Sequence, residues 1–142
     1  MKIFLDANIL VAVLNRQYPL FTYAAKILSL SENKKFELYT SSSCLAIAFY
    51  FTEKKSGAQR AKEKIAVLSE KLKITSTDSE AVRATVMNRK INDFEDGLEY
   101  YSALNFGCEI IITEDVSDFY FAEIPVYNSE SFLESVIQLT LK

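Results

Sequence analysis

The run Cys108-Glu109-Ile110-Ile111-Ile112-Thr113 constrains the fold most strongly, because consecutive β-branched residues favour a strand and leave no polar face for solvent. A strand of that kind must be covered on both sides, as a central strand of a parallel sheet is. Four shorter runs have strand character: the opening residues up to Leu5, then 36–40, 72–74 and 124–127, where Pro125 suits a first or edge position. Helical patterns fill the intervals. They are expected from Asn8, at 20 to about 30, from the hydroxyl cluster Ser41-Ser42-Ser43 to about 53, and at 57–70, 77–87, 93–107 and 129–139. Strands alternating with helices predict an α/β fold, with a central parallel sheet of about five strands in a three-layer α/β/α sandwich.

A chain of 142 residues, about half of them apolar, is expected to form a single domain over 1–142. No run approaches the roughly 20 apolar residues that would span a bilayer, so no membrane association and a cytoplasmic location are expected. Cys44 and Cys108 each lie in an apolar stretch and read as buried thiols. Phe49, Tyr50 and Phe51 read as core, with a dimer surface as the alternative. The absence of histidine excludes most zinc-site and triad chemistry, so any acid–base or metal chemistry must run on carboxylates. Charge is unevenly spread: residues 1–71 hold 11 Lys/Arg against 6 Asp/Glu, and residues 72–142 hold 5 against 13. A basic surface for a polyanion beside an acidic pocket for a cation is one reading; solvated helix faces are the other.

The acids are not placed at random. Asp6 follows an apolar strand directly, where an uncompensated charge is costly unless paired, ligated or neutralised. Asp115 and Asp118 follow the isoleucine strand, and Asp93 and Asp96 open the helix before it. Ligands of open parallel sheets sit outside the carboxyl ends of the strands, where strand order reverses, and all five acids fall at such places. Several carboxylates in one cleft are stable when ionised only with cations, and oxygen ligands select Mg²⁺ or Mn²⁺. Such ions suit in-line phosphodiester hydrolysis.

Taken in order, these motifs resemble those of the PIN-domain family. They are Asp6-Ala7-Asn8-Ile9-Leu10, then Asp93-Phe94-Glu95-Asp96 with Leu98 and Ala103, and Thr113-Glu114-Asp115 with Asp118-Phe119, Pro125-Val126 and Phe132-Leu133. The resemblance implies a metal-dependent endoribonuclease for single-stranded RNA. It also implies a small antitoxin partner, since small stand-alone members are often VapC-like toxins, and a homodimer is expected. By the same resemblance Asp6, Asp96 and Asp115 would be catalytic metal ligands. Asn8, Ser42, Asp93, Thr113 and Asp118 would support them, and Arg60, Lys62 and Lys64 would hold the RNA backbone. The sequence departs from the family at one acid, expected on the helix after the second strand; that place falls on Ile47. Gly97 is a milder departure, standing where alanine is usual. A PIN-fold module that binds RNA or a protein without cutting is the alternative.

Overall fold

Five parallel strands form the sheet in a computed structural model that describes residues 1–138. They are β1 (Lys2–Leu5), β2 (Glu37–Ser41), β3 (Lys73–Thr75), β4 (Ile110–Ile112) and β5 (Val126–Tyr127), in the order β3-β2-β1-β4-β5. The chain winds outward from β1 to β3, then returns to place β4 on the other side of β1. Strand order therefore reverses between β1 and β4. The register there sets Ile3 beside Ile110 and Leu5 beside Ile112, so both strands end at the same level. Ile3, Phe4, Leu5, Ile111 and Ile112 are wholly inaccessible, as expected of central strands covered on both faces.

One helical layer contains α1 (Ala7–Leu14), α2 (Leu20–Ser29), α3 (Ser42–Ser56), α4 (Ala58–Ser69) and α7 (Ser129–Phe132), joined by α1–α3, α3–α4, α1–α2 and α2–α7 packing. The other contains α5 (Ser79–Met87) and α6 (Phe94–Asn105), packed on each other. The three-layer α/β/α sandwich is the expected one. Among the described residues, no helix is long and apolar enough to cross a membrane.

Several local expectations change. Asp6, not Asn8, caps α1, accepting from the Ala7 backbone N–H at 2.7 Å. Ser41 caps α3, and Asp78 caps α5, which starts at Ser79 rather than at 77. In each case the capping side chain sits where the strand or loop is still extended, so its oxygen can turn back onto the helix. Asp93 caps α6 as expected, and Gly107 ends the turn after it at φ +81°. The exit loop after β4 contains a short 3-10 turn, Val116–Phe119. The last helix continues past α7 through a π turn, Leu133–Ile137; its expected end at Leu139 lies outside the described residues. Both cysteines are buried free thiols. The aromatic run on α3 is not core: Phe49 is half-buried, and Tyr50 and Phe51 are exposed.

Candidate active site

At the switch point, the ends of β1 and β4 are fastened by one hydroxyl. The Asp6 backbone N–H donates to Ile112 O at 3.0 Å, extending the ladder to the last residue before the loop. Thr113 Oγ1 donates to Asp6 Oδ2 at 2.8 Å and accepts from the Asp115 backbone at 3.1 Å and from Asn8 Nδ2 at 3.0 Å. Its one proton and two lone pairs are all used. Asn8 also donates to Asp115 Oδ2 at 3.2 Å and accepts from the Glu114 backbone at 3.1 Å. Asp6, 9% exposed, is thereby aimed by α1, β4 and the loop after β4 together.

Above this frame lies a cleft of about 430 Å³. Seven of the lining residues are acids, Asp6, Asp93, Glu95, Asp96, Glu99, Glu114 and Asp115; Val11 of α1, Leu20 of α2 and Ile47 and Phe51 of α3 supply apolar lining. Among the described residues, none of those lining the cleft is Lys or Arg. Two of the acids are already occupied by other bonds: Asp93 accepts from the Asp96 backbone at 3.2 Å, and Glu114 accepts from the Ser129 backbone at 3.2 Å and from the Ser129 hydroxyl. Burial raises Asp96 to about 7, with the charges of Asp93, Asp6, Asp118 and Glu95 adding to it. Burial, and then the Asp6 carboxylate, push Glu99 up to about 9.

The expected residues divide clearly. Asp6, Asn8, Asp93, Asp96 and Asp115 share the cleft, Thr113 lies buried behind it, and exposed Asp118 is close enough to repel Asp96. Ser42 is exposed in the first turn of α3 and does not line the cleft; the capping hydroxyl is its neighbour, Ser41. Arg60 and Lys62 are exposed on α4, and Lys64 is half-buried, donating to Leu14 O and Ser56 Oγ at 3.2 Å each. None of the three lines the cleft.

A PIN-domain model matches residues 2–117, which take in β1 with Asp6, α3 with Ile47, α6 with Asp96 and the loop with Asp115. The chain belongs to the PIN-domain family. It is 28% identical over 137 residues to ribonuclease VapC1 of Aquifex aeolicus (strain VF5), an alignment covering 94% of each chain. Among solved structures it resembles VapBC2 of Rickettsia felis, bound to a DNA fragment from their promoter, with a TM-score of 0.69 and 18% identity over 90% of this chain and 98% of that one. VapC20 of Mycobacterium tuberculosis, a toxin that cleaves the sarcin–ricin loop, matches at a TM-score of 0.63 and 18% identity, over 86% and 98%. At such identities the structures establish the fold alone.

Within this family fold, Ile47 stands on the cleft wall without a carboxylate, and Glu99 is the acid that sequence reasoning overlooked. Glu99 is 4% exposed, and its Oε2 is buried with no hydrogen-bond partner. One signal was available: Asp96 and Glu99 are three apart on α6, a spacing that places both side chains on one helix face. Cys44 was read only as buried, but its Sγ lies 3.7 Å from Asp6 Oδ1, and oxygen ligands of Asp6 and Glu99 and this sulfur all lie within 4.8 Å of one another. A buried carboxylate pair with an orphaned oxygen, and no cationic side chain in the lining among the described residues, fits a divalent cation.

Proposed function

We propose that the protein is a Mg²⁺- or Mn²⁺-dependent endoribonuclease that cuts single-stranded RNA, and that it is the toxin of a pair whose small antitoxin protein covers the cleft. The observation that carries this reading is the acidic cleft at the switch point of a PIN fold, lined by no Lys or Arg among the described residues. A phosphodiester cannot approach such a cleft unless cations neutralise it. The similarity to ribonuclease VapC1 supports the reaction class, and the VapBC complexes among the structural relatives support the partner.

Asp6, Asp96 and Asp115 would hold the metal. When bound, the cation supplies Lewis-acid polarisation of the phosphodiester and acidifies an attacking water. The chain's own residues contribute orientation. Thr113 and Asn8 fix the Asp6 and Asp115 carboxylates, so little rearrangement is needed as charge develops. Asp93 holds the first turn of α6 and thus the direction of Asp96. Arg60 and Lys62 remain free for the RNA backbone away from the scissile bond.

Purified protein with Mn²⁺ should cut single-stranded RNA, while Asp6→Asn or EDTA should reduce cutting to background. Cleavage that survives both treatments overturns the metal-dependent reading. RNA retained without products, and without metal, favours the non-cleaving module instead.

A further inference from the structure

We infer that Glu99 is a ligand of the divalent cation in the cleft, supplying from α6 the carboxylate that α3 lacks at Ile47; the inference rests on the metal-dependent reading above and adds a ligand to it. Three observations converge. On α3, the side chain lining the cleft in the region expected to carry an acid is Ile47, and the next carboxylate along that helix, Glu53, is six residues on, about 9 Å along the axis. On α6, Glu99 follows Asp96 on the same face and reaches the cleft from the opposite helical layer. Glu99 Oε2 is buried with no hydrogen-bond partner, in a residue 4% exposed.

A carboxylate oxygen has two ways to be tolerated at such a place. It can be protonated and act as a neutral partner of Asp6, or it can bind a cation. Among the described residues no Lys or Arg lines the cleft, and the sequence has no histidine, so a cation that met this oxygen would be an exogenous one. Asp6 and Glu99 already present oxygens within 4.8 Å of each other, a span that one ion can bridge. Cys44 is the third group of this cluster, and its thiol is directed at Asp6 Oδ1 rather than left unpartnered. The acid has therefore changed helix while its oxygen remains beside Asp6.

The two roles separate on substitution. Glu99→Gln keeps shape and a neutral hydrogen-bonding end but removes the anionic ligand. Mn²⁺ affinity of the full chain, read by titration calorimetry and by the thermal shift on adding Mn²⁺, should fall about tenfold or more in Glu99→Gln. Adding Ile47→Glu to Glu99→Gln should recover much of that loss, because a carboxylate returns to the cleft from α3. Affinity in Glu99→Gln equal to or above that of the unsubstituted protein overturns the inference and leaves the metal-dependent reading intact. Failure of the unsubstituted protein to bind Mn²⁺ overturns both. If Glu99→Gln does not fold, Mn²⁺ anomalous scattering from crystals of the unsubstituted protein decides: a peak within bonding distance of a Glu99 oxygen supports the assignment, and a peak bonded only to the aspartates refutes it.

Discussion

Thr113 binds Asp6, Asn8 and the Asp115 backbone through one oxygen, so its removal is felt in three places at once. Thr113→Val preserves the shape but leaves the buried Asp6 Oδ2 and the Asp115 N–H short of a partner. A loss of about 1–3 kcal/mol in urea denaturation is expected. Thr113→Ser should retain most of the stability, since the hydroxyl remains; equal losses in both variants would mean that the methyl packing dominates. Cys44 is predicted to be inert: burial and the neighbouring Glu99 and Asp6 raise its thiol well above the ordinary range, so a thiol reagent should label it only as the protein unfolds. At this scale the aspartates of the cleft were legible because each sits at a strand end or a helix start, where a carboxylate has a visible reason to be. Glu99 was not, because a Glu between Leu98 and Tyr100 in a helix is ordinarily solvated, and only the tertiary packing buries it. The Ser41 and Ser42 hydroxyls are chemically alike, and one residue of strand length decides which caps and which faces solvent.

The strands were legible as elements, because short apolar runs bounded by polar residues have few alternatives, but helix starts shifted by one or two residues wherever two capping side chains competed. Asp6 against Asn8 and Asp78 against Thr77 are both of this kind. Gly97 illustrates what the pattern could not reveal. Read alone it loosens α6; in the fold, a Cβ there would lie 2.4 Å from the Thr85 methyl and 3.0 Å from Ile91 Cγ2. Thr85 is held in place by its own bond to Ala81 O, so it cannot easily yield. Helix propensity favours Gly97→Ala by about 1 kcal/mol, whereas overpacking a buried contact costs about 1–3 kcal/mol. The clash should win. Gly97→Ala is expected to lower the denaturation midpoint, and Gly97→Ala with Thr85→Ser to recover part of the loss. Because α6 carries both Asp96 and Glu99, the same variant should also weaken Mn²⁺ binding. A stabilised Gly97→Ala would show that α5 and α6 are less tightly apposed than the structure places them.

For the whole molecule, the acidic cleft opposes folding unless something neutralises it, and pH tests this directly. Asp96 and Glu99 have folded-state values of about 7 and about 9, against roughly 4 in an unfolded chain. The folded protein therefore holds more protons than the unfolded one between those limits. Stability from these two groups is fully present below about pH 4 and is lost as pH rises, first through about 7 and then through about 9. In EDTA, the melting temperature should accordingly decline from pH 6 to pH 9, with the decline smaller in Glu99→Gln, where one titrating group is gone. Mn²⁺ competes with the same protons, so the stabilisation it confers should grow over the same interval, by the linkage that couples deprotonated ligands to metal affinity. If the melting temperature in EDTA rises steadily across that range, the cleft is not held together by protons on these carboxylates. The opposite trends with and without metal would mean that one set of acids both destabilises the free fold and binds the cation.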